Sequence, residues 1–265
     1  MRRQIAFAGA CALACLAAAP TFAGALSFVS VTGDDARNCT TPATACRSFQ
    51  RAHDATSAHG EIIALTPGDF RPVEIFKSIS ITGVEGAGIF GGVGNLITVS
   101  SGSDVHLTGL TLDGAASAGN GVQIGAGNVT IRKCAIRNTV YSAVYARYVR
   151  ARQRLLIEDS SLSNGSSNLY LRDASSLVHR VVVSAARNNG VILDLDGVTT
   201  ISQSSLAADN TGISRTDPHK LFVTRSVVTG NSAAGVEGGF TSAGDNFIRG
   251  NGTNVSGTIA NIGRQ

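Results

Sequence analysis

The sequence contains no tryptophan, only one methionine and few aromatic or charged residues. Aromatic side chains make up 5% of the 265 residues and charged side chains 15%. A core built mainly from aromatic rings is therefore excluded, and a formal net charge of +4 provides no basic field of the kind that nucleic-acid binding requires. The chain does contain 43% apolar residues and 31 glycines. Small aliphatic side chains with frequent turns favour thin, regular β-layers.

A long apolar run occurs at the N-terminus, and no later segment matches its length and apolarity. A basic start, MRRQ, precedes the apolar stretch IAFAGACALACLAAA. The tripeptide Ala23-Gly24-Ala25 then fits the small-x-small rule for signal cleavage. Because the apolar stretch is too short to cross a bilayer comfortably, the sequence predicts a signal peptide over residues 1–25 and no membrane span. We therefore expect an exported protein, periplasmic or extracellular.

Three cysteines follow the predicted signal peptide. Cys39 and Cys46 lie close together in the polar segment NCTTPATAC, and an exported protein meets an oxidising compartment. The sequence predicts a disulfide between them, with two free thiols as the alternative. Cys134 stands in an alternating pattern and is predicted to be free and buried.

One phrase recurs along the chain every 20 to 26 residues. Its first residue is followed two positions later by an apolar residue and then by Asn, Asp or Gly. The phrase begins at Leu110, Cys134, Ser160, Ser184, Ser204, Ser226 and Asn246. The apolar residues two positions later are predicted to share one inward column: Leu112, Ile136, Leu162, Ala186, Leu206, Val228 and Ile248. The four initial serines are predicted to form a second column.

Asparagine recurs at the turns of this phrase. It tolerates left-handed backbone angles, and its amide can bond to the turn above or below. Four asparagines are therefore predicted to stack at one corner: Asn164, Asn188, Asn210 and Asn231.

The period and the alternation together define a fold class. Each unit holds several short strands with one buried face and no amphipathic helical run, which argues against helical repeats. Propeller blades need about twice this period. The prediction is an all-β, single-stranded right-handed parallel β-helix (a solenoid) over residues 60–265. Residues 26–59 are predicted to form a strand, the cysteine loop and a short capping helix near residues 45–57, with Phe49, Ala52 and Ala55 on one face.

With these features the sequence resembles the pectin-lyase-like right-handed parallel β-helix superfamily, in particular small exported bacterial β-helix proteins. The resemblance covers about residues 60–260. It extends to the segments FVSVTGDDARNC and ACRSFQRAHDATSAHGEIIALTPGDF, which look like the N-terminal strand, loop and cap of such proteins. It implies the fold but no single activity, because the superfamily includes lyases, hydrolases, esterases, epimerases and proteins without known activity.

The enzyme motifs of that superfamily are largely missing. The NTD, GHG and RIK motifs of polygalacturonase-like enzymes are absent, and the GDD at residues 33–35 precedes the predicted cap. The segment DPHK partly matches the DPHD or DPHE of mannuronan C5-epimerases, which implies His219 as acid or base with Asp217 beside it. Lys220 replaces the acidic residue, and Asp-Pro is an ordinary turn dipeptide, so we favour a turn. No catalytic residue and no cofactor are predicted. No metal site is predicted either, because Asp194 and Asp196 supply too few oxygens for calcium.

One surface feature is less ordinary. When the coils are aligned on Val144, Leu169 and Val191, the residues one position later are two tyrosines and Ile192, and the residues three positions later are charged. Tyrosine rings stack on sugars, and arginine pairs with carboxylates. We call this candidate carbohydrate-binding site the Tyr–Arg strip; its residues are Tyr145, Tyr170, Arg147, Arg172 and Asp194. A merely solvated face is the alternative.

The sequence thus predicts a carbohydrate-binding or structural surface module, with an acidic polysaccharide as the expected ligand. The alternative is a polysaccharide lyase or uronate epimerase with a non-standard site, so catalysis stays open. Such an enzyme needs a base near the sugar C5 and a cation at the uronate carboxylate. Convergence of His219, or of Asp194 and Arg172, in one groove would favour the enzyme. The oligomeric state is not predicted.

Overall fold

A computed structural model of the chain describes residues 25–100, 104–147 and 153–262. Apart from Ala25, the predicted signal peptide lies outside the described residues. The described chain is an all-β parallel solenoid of about eight turns, which confirms the predicted fold class. Each complete turn contributes one strand to each of three parallel sheets.

The first sheet has eleven strands: β1 (Leu26–Val29), β2 (Gly60–Ala64), β5 (Ile79–Gly83), β8 (Asp104–Thr108), β11 (Asn128–Arg132), β14 (Arg154–Glu158), β17 (Ser175–His179), β20 (Val198–Ser202), β23 (Lys220–Thr224), β26 (Phe240–Ser242) and β29 (Ile259–Asn261). The second has nine: β3 (Gly68–Asp69), β6 (Ala87–Phe90), β9 (Thr111–Asp113), β12 (Ala135–Arg137), β15 (Ser161–Ser163), β18 (Val182–Ser184), β21 (Ser205–Ala207), β24 (Val227–Thr229) and β27 (Phe247–Ile248). The third also has nine: β4 (Val73–Ile75), β7 (Ile97–Val99), β10 (Val122–Ile124), β13 (Ser142–Arg147), β16 (Ser167–Arg172), β19 (Asn189–Asp194), β22 (Thr211–Arg215), β25 (Ala234–Glu237) and β28 (Thr253–Ser256).

The core runs along the axis as columns of aliphatic residues in register. In the third sheet, Val144 pairs with Leu169, which in turn pairs with Val191, and all three are fully buried. The second sheet carries the predicted inner column from Leu112 through Ile136 onward. Alternation places every second side chain inside, so each coil covers the apolar face of the next.

The predicted inner column is wrong for one coil. In the phrase matched at Ser184, the inward residue of β18 is Val183, which pairs with Leu162 on one side and Leu206 on the other. Ala186 does not belong to this column. The strand begins three residues earlier than predicted, and valine fills core volume that an alanine methyl group would leave empty.

Three of the four predicted serines form the expected column. The hydroxyls of Ser160, Ser204 and Ser226 each accept a hydrogen bond from a backbone N–H of the preceding coil, at 3.1, 3.1 and 3.2 Å. Val181 stands where Ser184 was predicted, because the strand of that coil begins earlier. The column therefore satisfies corner N–H groups that the strand ladders leave unpaired.

The predicted stack of four asparagines at one corner is also wrong. Nδ2 of Asn164 donates to Oδ1 of Asn138 at 3.2 Å, whereas Nδ2 of Asn188 donates to Oγ of Ser166 at 2.9 Å. Asn231 belongs to a third, buried column. The turns between the second and third sheets differ in length, so Asn188 and Asn210 share one position, directly before the paired strands β19 and β22, whereas Asn164 and Asn231 lie at two others.

The N-terminal segment covers the first coil. The Cys39–Cys46 disulfide is present, as predicted, and a 3₁₀ turn (Pro42–Thr44) lies inside its loop. Helix α1 (Phe49–Ala55) is shorter than predicted, and its N-cap hydroxyl on Ser48 accepts the Arg51 N–H at 3.2 Å.

The buried face of α1 differs by one residue from the prediction. Phe49 and Ala52 are buried, but Ala55 is exposed and His53 is buried instead. The helix ends at Ala55, so this residue no longer faces the coil. The Phe49 ring packs 4.9 Å from the ring of Phe70 in the first coil.

Cys134 is a free, buried thiol, as predicted. It lies at the corner just before β12 and is 3% exposed. Burial raises its pKa to about 11, so it remains a protonated thiol and packs as a small apolar residue.

Candidate functional site

The Tyr–Arg strip lies on the outer face of the third sheet, with the register that the sequence predicts. Tyr145 pairs with Tyr170, Arg147 pairs with Arg172, and Arg172 pairs with Asp194 on the following strand. The two tyrosine ring centroids are 5.2 Å apart and the rings are tilted by 33°. Both side chains are half-buried, so the rings form a supported, continuous surface.

The two arginines of the strip differ in charge environment. Arg172 lies 3.8 Å from Asp194, and the hydroxyl of Tyr170 donates to the same carboxylate at 3.0 Å. Burial, together with this bond to Asp194, raises the pKa of Tyr170, which keeps the phenol protonated. Arg147 is exposed and has no ion pair within the described part of the chain. The positive charge of the strip is therefore concentrated at Arg147.

A cleft of about 520 Å³ opens beside Tyr145 and Arg147. Its lining continues towards the preceding coils: Asn120, Gln123, Ile124, Gly125, Tyr141, Tyr145 and Arg147. Tyr141 is 62% exposed and stands at the edge of the cleft. The volume falls within the range of about 300–1,000 Å³ typical of small-ligand sites.

Sequence reasoning missed the polar wall of this cleft. Gln123 pairs with Tyr145 across the strands, and its side chain bonds to Asn95 and Asn120. The signal was present in the repeated dipeptide Gly-Asn at 94–95 and 119–120, which precedes two successive strands of the third sheet. The recurring phrase was defined by asparagines that follow a strand. It therefore did not include these two asparagines, which precede a strand.

The residues of the partial epimerase motif lie elsewhere. His219 is fully buried beneath the turn before β23, and its Nε2 lies 2.9 Å from Oγ1 of Thr199. Burial lowers its pKa, so the imidazole is neutral. Asp217 is exposed and pairs with Arg215. The imidazole is thus a core group that a bulky sugar does not reach in this conformation.

Within residues 25–100, 104–147 and 153–262, no three His, Cys, Asp or Glu side chains are grouped closely enough to hold a metal ion. No helix in the same ranges has the length and apolarity needed to cross a membrane.

Comparison with known proteins places the fold. Residues 95–255 match the family model described as a right-handed beta helix region. Among solved structures, the chain is similar to the pectate lyase Pel9A, with 13% identity, a TM-score of 0.64 and coverage of 89% of this chain and 77% of that one. It is similar to the periplasmic alginate epimerase AlgG, with 13% identity, a TM-score of 0.56 and coverage of 78% and 58% respectively.

A third similar structure is a rhamnogalacturonan lyase, with 10% identity, a TM-score of 0.55 and coverage of 83% of this chain and 73% of that one. No curated protein matches the sequence. At these identities the structural similarities establish the fold alone.

Proposed function

The chain belongs to the right-handed β-helix family, and we propose that it is an exported module that binds an acidic polysaccharide through the Tyr–Arg strip. The observation that carries this proposal is the half-buried tyrosine pair, with ring centroids 5.2 Å apart, beside a cleft and an arginine without an ion pair in the described residues. Stacked rings offer an apolar platform to the faces of sugar rings. A guanidinium group without a carboxylate partner remains available for the acid group of a ligand.

The chemistry of similar structures supports an acidic ligand. The names of two of them refer to pectate and alginate, which are acidic polysaccharides. The strip is consistent with such a ligand, because its positive charge lies at Arg147 and none of the described residues that line the cleft carries a carboxylate. Export is supported by the Cys39–Cys46 disulfide, since disulfides persist in oxidising compartments.

A lyase or uronate epimerase with a non-standard site is the weaker proposal. Its base would have to lie close to both the sugar and a cation. His219 is fully buried. Arg172 and Asp194 do lie together, 3.8 Å apart, but neither lines the cleft, and Asp194 already accepts from the hydroxyl of Tyr170. The Tyr–Arg strip therefore offers a binding surface more readily than a proton-transfer site.

The proposal is tested by replacing both tyrosines, Tyr145→Ala and Tyr170→Ala. We expect the mature protein to bind acidic glycans on an array and the double variant to bind them about tenfold or more weakly, since each aromatic contact contributes about 0.5–1.5 kcal/mol beyond its buried area. Binding should also weaken with salt, because exposed charge pairs are screened.

Leu177→Ala is the matched control for this test. Leu177 also faces outward from a strand and is 41% exposed, but it lies in the first sheet. It should leave binding unchanged. If the double tyrosine variant binds every glycan as the parent does, the strip is only a solvated face. Release of an unsaturated product from any glycan would instead favour the lyase.

A further inference from the structure

The side-chain amides of Asn120 and Gln123 line the cleft, and the amide of Asn95 is hydrogen-bonded to both. Nδ2 of Asn95 lies 2.8 Å from Oε1 of Gln123. Nδ2 of Asn120 lies 3.0 Å from Oδ1 of Asn95 and 3.4 Å from the same Oε1 of Gln123. Asn120 is 8% exposed, whereas Asn95 and Gln123 are half-buried.

Two backbone N–H groups fix the orientation of these amides. The N–H of Ser142 donates to Oδ1 of Asn120 at 3.1 Å, and the N–H of Asn120 donates to Oδ1 of Asn95 at 3.2 Å. A backbone N–H cannot accept a hydrogen bond, so each asparagine must direct its oxygen to the backbone and keep its NH₂ group for the network. Both NH₂ groups are near Gln123, whose oxygen must therefore accept from them.

This arrangement uses the amide oxygen of Gln123 but not its amide nitrogen. Nε2 donates to no group in the described part of the chain, while the side chain lines the cleft. Arg147 lines the same cleft and lies two positions after Tyr145, which pairs with Gln123 on the neighbouring strand. None of the described residues that line the cleft is acidic, so no carboxylate among them accepts from Gln123 Nε2 or from Arg147. A bound oxygen anion would satisfy both donors together.

We propose that this cleft is a carboxylate-binding subsite in which Gln123 Nε2 and the Arg147 guanidinium donate to the acid group of a uronate residue. Asn95 and Asn120 are positioning residues, because they hold the amide of Gln123 with its donor towards the ligand. The inference rests on the proposed function and deepens it: the tyrosine pair contacts the sugar faces, and the cleft selects the charged form of the sugar. A uronate methyl ester lacks the negative charge that strengthens both hydrogen bonds.

Gln123→Glu provides a test that barely changes the size of the side chain. One carboxylate oxygen would still accept from both asparagines, whereas the other would face the ligand in place of the NH₂ group. We expect binding of an oligogalacturonate to weaken by about tenfold or more, which is the scale of a lost hydrogen bond to a charged group together with a new repulsion. Binding of the methyl-esterified oligogalacturonate should change by less than about twofold, since its ester makes no charge-assisted bond.

Asn95→Ala tests the positioning role. The variant adds no charge and removes the donor nearest to Gln123 Oε1. We expect the preference for the acid over its methyl ester to fall several-fold, while ester binding stays unchanged. A purely structural role would lower both affinities alike.

Gln203→Glu is the charge-matched control, because Gln203 is exposed at the corner between the first and second sheets. Titration calorimetry with both oligogalacturonates distinguishes the outcomes. If Gln123→Glu binds the acid as the parent does, or loses both forms equally, the subsite is wrong, and the tyrosine variant still tests the proposed function. If the parent binds neither probe, the proposed function fails for this ligand class and the subsite fails with it.

Discussion

Asp209 is a buried carboxylate in a column that otherwise continues with asparagine. Its Oδ1 accepts the N–H of Ala186 at 2.7 Å, as Oδ1 of Asn231 accepts the N–H of Asp209 at 3.1 Å. The next asparagine of the column, Asn251, donates its Nδ2 to the carbonyl of Val228 at 2.9 Å. Oδ2 of Asp209 cannot donate when ionised, and it has no partner among the described residues. Burial raises its pKa to about 6.

Replacing this carboxylate by an amide should therefore stabilise the fold at neutral pH. The raised pKa means that the folded chain holds the proton more tightly than the unfolded chain. The free energy of unfolding of the parent therefore falls as the pH rises from about 4 through about 6. The total fall is at most about 3 kcal/mol. Asp209→Asn removes this titration and restores a donor. We expect a gain of about 1–3 kcal/mol near pH 7.5 and little gain near pH 4, measured by urea unfolding.

Asn231→Asp is the reverse control for this prediction. It introduces a second buried carboxylate one coil further on and should destabilise the chain at neutral pH by a similar amount. An equal effect of Asp209→Asn at both pH values would mean that titration of Asp209 is not the cause.

At the scale of the strand, register was predictable throughout the third sheet, but the prediction failed at one coil of the second sheet. The third-sheet column through Val144, Leu169 and Val191 is regular, so the alignment also placed Tyr145 above Tyr170 correctly. Five corners that precede strands of the second sheet have left-handed backbone angles at residues other than glycine or asparagine: Lys133, Asp159, Arg180, Gln203 and Arg225. Long polar residues give no local marker of such angles, because hydrogen bonds from neighbouring coils stabilise them.

The polar wall of the cleft was unpredictable for a related reason. Period and alternation identify which side chains face outward, but they do not reveal that Gln123 bonds to Asn95, a residue 28 positions away. Which end of an amide faces a ligand depends on backbone N–H groups supplied by another coil. The sequence therefore predicted the tyrosine platform and missed the donor beside it.

Leu162 in β15 and Leu177 in β17 illustrate an inward and an outward strand position. Leu162 is fully buried in the inner column, whereas Leu177 is 41% exposed on the outer face. Leu162→Ala should destabilise the fold by about 2–5 kcal/mol, the usual range for such a cavity. Leu177→Ala should remain within about 0.5 kcal/mol of the parent, as surface substitutions usually do. Equal shifts in urea midpoint would contradict the register described here.

At the scale of the whole molecule, the two ends of the solenoid differ within the described residues. Helix α1 and the disulfide loop cover the first coil, where Ile62, Phe70 and Ile75 are fully buried. At the other end Ile259 and Ile262 are 46% and 63% exposed. The need for an N-terminal cap was predictable, because an uncovered coil exposes core and strand edges. The buried face of the cap was not, since it depends on where α1 ends.

Because each coil contacts mainly its neighbours, damage to the cap should remain local. Phe49→Ala removes a fully buried ring that packs on Phe70 and should cost about 3–5 kcal/mol. In a stack with nearest-neighbour coupling, this loss first loosens the adjacent coils. We expect amide hydrogen exchange to accelerate in β2 and β5 and to stay unchanged in β20 and β23. Phe247→Ala, at a ring that is 52% exposed near the other end, is the control and should leave β2 and β5 protected. Uniform acceleration along all three sheets in Phe49→Ala would instead mean that the solenoid opens as one cooperative unit and that the cap stabilises every coil.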